Sequence, residues 1–375
     1  MALVKLQTEH FRNLESAPVD FCSSFNLLYG TNGSGKTSLL EAIGYLGLGR
    51  SFRVSRHQAV VSHGAQRFTV FGGLDGGHAQ ADHEGQTHLI RRVGIARDVG
   101  RKETTLRVDG ETVRSLSSLA VHLPVTVIDP GAFDIVSGSP GKRRQFLDWA
   151  VFHVEPSFAS VWQQGQRVTS QRNQMLRNGR LDEALLRVWD TQYAALSERI
   201  SEAREITFNR FKVAFTSLLS EMIEEWSESL SIEFFPGWDR NQSLVDILAT
   251  HRDQERRMGH TLYGPNRADI RLKYQGRPVA EIFSRGQQKT LVILLKIAQG
   301  MVLSEMGKQV TFLIDDINAE LDINHRAMLA RKLQTLGCQA FITSIEHPDP
   351  GVLWPDGDIP TYKMFHVEHG KLTEE

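Results

Sequence analysis

The hydrophobic pattern is most regular between residues 181 and 235, a stretch with neither glycine nor proline. Apolar residues recur in steps of three and four, at Leu185, Trp189, Tyr193, Leu196 and Ile200. They do so again at Phe211, Phe215, Leu218, Met222 and Trp226. Positions spaced in this way fall on one face of an α-helix, so the pattern predicts a long helix with a buried stripe. Residues 157–178, ahead of the Asn178-Gly179 break, supply an antiparallel partner. Together they predict a helical arm of roughly 40 to 50 residues per leg, or about 60 to 75 Å at the rise of an α-helix.

Elsewhere the period changes. Leu3-Val4-Lys5-Leu6, Val19-Asp20-Phe21 and Phe25 to Tyr29 are short apolar stretches between polar turns and predict strands. Residues 50–140 continue in short runs such as Phe68 to Gly73 and Leu106 to Gly110, which predict an antiparallel β-rich section. Val310-Thr311-Phe312-Leu313-Ile314 is a continuous apolar run, the form taken by a parallel strand buried on both faces. It ends in Asp315-Asp316. A helix from Asp322 to about Leu336 and a core strand at Gln339 to Thr343 follow.

Between the Ser24–Tyr29 strand and a helix starting at Thr37 lies Gly30-Thr31-Asn32-Gly33-Ser34-Gly35-Lys36-Thr37. This matches G-x-x-x-x-G-K-[ST], the phosphate-binding loop of P-loop NTPases. Its glycines let the backbone curl so that successive N–H groups point at phosphate oxygens. Lys36 supplies a charge for the β- and γ-phosphates, the Thr37 hydroxyl can ligate Mg²⁺, and the helix start adds a favourable dipole. With this loop upstream, Asp315 is expected to hold Mg²⁺ and Asp316 to orient or deprotonate the attacking water. Phe283-Ser284-Arg285-Gly286-Gln287 opens an apolar helix running to about Met301. Ser284 and Gln287 have the spacing of a capping box there, and the helix start is also a seat for an anion.

The composition, 41% hydrophobic and 23% charged over 375 residues, is that of a globular protein of two or three domains. A formal net charge of −1 neither favours nor excludes nucleic acid, so any such binding must use a local basic surface. Candidates are Arg50, Arg53, Arg56, Arg91, Arg92, Arg97, Arg101 and Lys102, with Arg91, Arg92, Arg101 and Lys102 foremost and the run Lys142-Arg143-Arg144 as an alternative. His78, His83 and His88 recur every five residues without a Cys or Glu cluster and predict no metal. Cys22 and Cys338 are far apart, which suits a reducing cytosol. No signal peptide or membrane span is expected, so the protein is read as soluble and cytoplasmic.

The order P-loop, Ser-x-Gly-Gln helix start, acidic strand end resembles ABC-type ATPases, and the long insertion between Lys36 and Asp315 resembles their structural-maintenance (SMC-like) branch. Within it the chain is similar to the RecF family of bacterial recombination mediators. The resemblance is carried by Phe11-Arg12-Asn13-Leu14, Gly30 to Gly44, Gly49-Arg50-Ser51-Phe52-Arg53 and Gly138 to Asp148. It continues through Gly264-Pro265, Leu313 to Asp316, Glu320-Leu321-Asp322 and Met364 to Gly370.

It implies an α/β fold: an ATPase head of mixed sheet, flanking helices and an antiparallel β section, with an inserted helical arm. The expected bounds are 1–140 and 261–375 for the two parts of the head and 141–260 for the arm. It implies that ATP is sandwiched by two heads, with Ser284, Arg285, Gly286 and Gln287 of one meeting the γ-phosphate held by the other. It further implies an ATP-dependent homodimer with weak DNA-stimulated ATP hydrolysis on single-stranded, double-stranded or gapped DNA. With RecO and RecR, such a protein helps load RecA at single-strand gaps, maintain replication forks and induce the SOS response.

The chain departs from the family pattern at Asn266 and Ala268, at Ala319, and at Val127 to Gly131, where no Gln is offered to Mg²⁺. Two other readings are open. A P-loop small-molecule kinase accounts for Gly30 to Thr37 and leaves the Ser284 helix and the arm without purpose. An ATPase-coupled nuclease would need a carboxylate-rich metal domain that the residues after Asp322 do not show.

Overall fold

The computed structural model describes residues 1–76, 90–178 and 182–375, with the side chains of Ala319 and Glu320 excepted. His78, His83 and His88 lie outside the described residues. The chain forms two compact units, Met1–Phe133 with Lys289–Glu375, and Asp134–Gln288. Residues 261–288, expected with the C-terminal part of the head, therefore pack with the second unit.

In the first unit, two six-stranded sheets enclose one helix. The parallel sheet runs in the order Lys371–Glu374, Tyr362–Glu368, Phe25–Tyr29, Gln339–Ser344, Thr311–Ile314, Val125–Ile128; only the terminal hairpin is antiparallel. Its inner strands are buried almost throughout, which is why they are unbroken apolar runs. Val125–Ile128, expected within the antiparallel section, pairs instead with Thr311–Ile314 in this sheet. The second sheet is antiparallel, in the order Val19–Asp20, Ala2–Glu9, Arg67–Asp75, Ile90–Asp98, Glu103–Val108, Glu111–Val113.

The enclosed helix is Lys36–Leu48. It is buried on all sides because both sheets cover it, and mostly apolar, with Glu41 the fully buried charged exception. Leu39, Ile43 and Leu46 share a core with Leu6, Phe68 and Val93 of one sheet and Leu28, Leu313 and Phe341 of the other. Gly47 is where this helix comes closest to the parallel sheet, since a Cβ there would lie 2.4 Å from Val125 Cγ2. Phe11, Tyr45 and Phe68 meet edge to face, with centroids 5.1 to 5.6 Å apart.

In the second unit, Phe158–Arg177 packs along the 40-residue helix Glu183–Met222. The arm's legs are thus unequal, 20 and 40 residues, rather than matched. The helical stripe was also expected to run to residue 235. It breaks at Ile223, resumes for one turn at Glu224–Ser227 with Trp226 buried, and gives way at Leu230–Phe235 to a strand paired with Asp269–Tyr274. The reason is local: Leu230 and Ile232 alternate with exposed Ser231 and Glu233, a period of two.

The stripe is offset from expectation at its start, where Leu185 is exposed and Leu186 buried. Its buried face also includes Asp190, Ser197, Ser201 and Arg204. Arg172, fully buried, donates to Asp190 and Thr261 at 2.8 Å each and also pairs with Glu255. Arg204 makes a bidentate pair with Asp148, at 2.7 and 2.9 Å, and donates to the Pro265 carbonyl.

Among the described residues, no helix is long and apolar enough to cross a membrane.

Candidate functional site

The parallel strands Phe25–Tyr29, Thr311–Ile314 and Gln339–Ser344 deliver the site residues at their C-terminal ends, where open α/β sheets bind ligands. The loop turns on Gly30, Gly33 and Gly35, at φ of +151°, +81° and +121°. A side chain at Gly30 would also collide with the Val367 carbonyl, its Cβ 2.2 Å away. Lys36 Nζ donates to the loop carbonyls of Gly30 at 2.6 Å and Thr31 at 2.9 Å. Burial lowers the Lys36 pKa, against the opposing attraction of Asp315 and Asp316.

The structure brings Thr37 and Asp315 together. The Thr37 hydroxyl lies 2.9 and 3.1 Å from the two Asp315 oxygens, and Thr343 Oγ1 lies 3.0 Å from Oδ1. Thr343 Oγ1 in turn accepts from the Asp316 N–H at 2.8 Å. Asp316 sits in the left-handed region at φ +49°, an uncommon conformation for a non-glycine residue. Its Oδ1 and the Ser34 Oγ are buried without a hydrogen-bond partner among the described residues. No group of three His, Cys, Asp or Glu could hold a metal among those residues. One hydroxyl and one carboxylate are nevertheless a fitting donor set for a hard dication that keeps waters and substrate phosphates as its other ligands.

Several neighbours carry signals that local pattern leaves unread. Asn13 Nδ2 donates to the Gly33 carbonyl at 3.2 Å, and its Oδ1 accepts from the Ser38 hydroxyl at 2.8 Å. Arg12 makes a bidentate pair with the fully buried Glu41, one turn along the loop helix, at 2.8 and 2.9 Å. Gly370 N–H donates to the Ser34 carbonyl at 2.7 Å, bracing the loop from outside. At the segment lacking the expected Gln, Asp129 follows the strand beside Asp315. Burial raises its pKa, opposed by the N–H groups of Gly131 and Ala132 and by Lys296. Lys296 is itself pushed down to about 8 by burial, with Asp129 pulling the other way.

In the second unit, Ser284 and Gln287 form the reciprocal capping box: Ser284 N–H donates to Gln287 Oε1 at 2.9 Å, and Gln287 N–H to Ser284 Oγ at 3.3 Å. Ser284, Arg285, Gly286 and Gln287 are all exposed. Arg143 and Arg144 do not form a basic surface. Arg143 pairs with Asp269 at 2.7 Å, and Arg144 donates to the Ala268 carbonyl. Ala268 is fully buried and Asn266 Oδ1 accepts from Gln166, so the departures at 266 and 268 sit inside this packing.

The remaining basic candidates are dispersed by strand alternation. Arg91 faces one side of its strand, pairing with Asp109 at 3.2 Å, and Arg92 faces the other. Arg101 and Lys102 are exposed in the following turn, where Asp98 Oδ1 accepts from the Arg101 N–H.

The profile of the RecF/RecN/SMC N-terminal domain matches residues 2–350. The DNA replication and repair protein RecF of Marinobacter nauticus is 74% identical over 376 residues, covering all of both chains. The chain belongs to the RecF family. Its likeness to RecF of Pseudomonas aeruginosa is 42% over 378 residues, covering all of this chain and 98% of the other. Among solved structures, the recombination mediator protein RecF-ATP in the RecFOR pathway superposes with a TM-score of 0.85 at 25% identity, covering 100% and 97%. An Smc head bound to the C-winged helix domain of ScpA shares the fold, at a TM-score of 0.58 and 14% identity. As a RecF-family member the chain is a DNA replication and repair protein with an SMC-like ABC-type ATPase fold.

Proposed function

We propose that the chain binds ATP and Mg²⁺ at Gly30–Thr37 and uses ATP to pair two copies on DNA. The observation that carries this reading is the Thr37–Asp315 contact beside the unpartnered Asp316 oxygen. Lys36, held on the loop's own carbonyls, is positioned to exchange them for the β- and γ-phosphates. Thr37 and Asp315 hold Mg²⁺, which when bound neutralises phosphate charge. Asp316 orients the attacking water with its free oxygen. Ser284, Arg285, Gly286 and Gln287 stand at an exposed helix start and serve the nucleotide of the second copy.

A solved relative described as RecF-ATP in the RecFOR pathway supports ATP as the nucleotide and RecO and RecR as partners. Membership of the same family supports a role in loading RecA at single-strand gaps in the cytoplasm. Ser284→Arg puts a long side chain into the γ-phosphate seat while its lost cap costs only about 0.5–2 kcal/mol. Size-exclusion chromatography with ATP and DNA should then show a monomer where the unmodified chain dimerises. Dimerisation of the variant at the unmodified level would sink the shared-site reading.

A further inference from the structure

The outer face of the antiparallel sheet holds a trough of about 560 Å³ that no part of the proposed ATP site uses. Arg67, Arg92 and Arg107 line it, and no carboxylate does. All three are exposed, and none has a side-chain ion pair or hydrogen bond among the described residues. Three unpaired guanidinium groups around one concavity are a site of unmet positive charge, suited to a polyanion.

The floor narrows the choice of polyanion. Gly94 lies in mid-strand, in register with Phe71 on one side and Arg107 on the other. Its backbone is not left-handed, and a Cβ there would meet nothing nearer than 3.8 Å, at Phe71 Cδ2. Neither strain nor crowding therefore calls for glycine, although glycine weakens a strand interior. What glycine does provide, with Ala96 next on the same face, is a low floor beside a half-buried aromatic ring. A flat group can lie there against Phe71. The opposite side of this strand, Val93 and Ile95, belongs to the core, which fixes the face that stays open.

We propose that this trough binds single-stranded nucleic acid, with phosphates on Arg67, Arg92 and Arg107 and a base stacked on Phe71 above Gly94. The inference rests on the DNA-directed reading and names the surface that reading lacks. An aromatic ring and arginines on an open sheet face are the elements by which proteins hold unpaired bases. A duplex could touch the rim arginines but would keep its bases stacked away from Phe71. An acidic peptide would use the arginines and have no need of the flat floor.

Fluorescence anisotropy of the full chain with ATP, using a labelled oligo-dT, a duplex of equal length and a polyglutamate peptide, tests this. Replacing all three arginines by Glu should weaken oligo-dT binding at least about tenfold and flatten its salt dependence by roughly two logarithmic units per decade. Gly94→Val, which fills the floor with a strand-favouring residue, should weaken oligo-dT at least about fivefold and leave the duplex unchanged. Phe71→Leu should do the same, and ATP affinity in every variant should match the unmodified chain.

Unaltered oligo-dT affinity and salt slope in the triple variant would overturn the assignment. So would loss of duplex binding with oligo-dT insensitive to Gly94→Val, or capture of the peptide in preference to oligo-dT. If the unmodified chain binds no nucleic acid, the DNA-directed reading itself falls. If it binds and the variants bind equally, only the trough is lost.

Discussion

In the first unit the charged groups Lys36, Asp315 and Asp316 gather at the glycine loop and a strand end, and the fully buried Glu41 is answered by the single guanidinium of Arg12 in a bidentate pair. In the second unit charge runs through the interior, where every arm of the buried Arg172 guanidinium is occupied by Asp190, Thr261 or Glu255. Among the described residues the one buried carboxylate oxygen left unpartnered is Asp316 Oδ1, in the first unit. A saturated ion network locks the register of the helices it joins, because removing any partner strands the others in a low-dielectric interior. An unsaturated group at a strand end does the reverse, holding capacity in reserve for a ligand. The second unit thus closes the Arg172 guanidinium on its own carboxylates, while the first keeps a carboxylate oxygen open.

The contrast between the units meets its largest test in Arg172→Met. It leaves Asp190 and Glu255 buried without that partner and should destabilise the second unit by about 3–5 kcal/mol. All six tryptophans except Trp354 lie in residues 134–288, so urea unfolding followed by fluorescence reads this unit directly. Nucleotide affinity should hold below the transition; an unshifted midpoint would remove the distinction between the units.

A smaller effect concerns Lys296 in the first unit. Its folded pKa of about 8 lies below the unfolded value of 10.5, so between those values the unfolded chain binds the extra proton and stability rises with pH. Cys338 works against this above its ordinary value of 9, because burial raises its thiol to about 12 and only the unfolded chain ionises. The cleanest reading is therefore the difference between the unmodified chain and Lys296→Met from pH 8 to 9. That difference should change by about 1 kcal/mol, the unmodified chain gaining. A constant difference would mean Lys296 is charged in the fold.

Lys36→Arg is read by turnover rather than stability, because the buried Lys36 rests on the loop carbonyls of Gly30 and Thr31 and serves the site. The planar fork of arginine is a poor substitute for a compact ammonium, so ATP hydrolysis should be impaired with some ATP binding kept. Ordinary turnover in a phosphate-release assay would remove Lys36 from the role given to it.

How much of this was legible in the sequence follows the range of each interaction. The glycine loop, the Ser284–Gln287 cap and the apolar strand ending at Asp315 are local, so spacing alone located them and the α/β class they imply. Arg91 and Arg92 looked like one basic pair, yet period-two alternation sends them to opposite faces, and the sheet's long-range register decides which face is solvent. No local pattern marks Arg172 and Arg204 as buried; tertiary partners far along the chain, Glu255 and Pro265 among them, make their burial possible. The shorter leg was read at residues 157–178 and lies at Phe158–Arg177, bounded by the Asn178-Gly179 break. What the periodicity of the longer helix misjudged was the length, 40 to 50 residues expected for each leg.

The bond from Gly370 N–H to the Ser34 carbonyl has a consequence in time as well as in space. Residues 362–368 complete the parallel sheet beside Phe25–Tyr29, and the turn after them braces the glycine loop. A ribosome makes the loop more than three hundred residues before it makes its brace. The phosphate-binding loop, held early by Asn13, therefore waits for this second brace through most of translation, and a chain cut short before residue 370 lacks it.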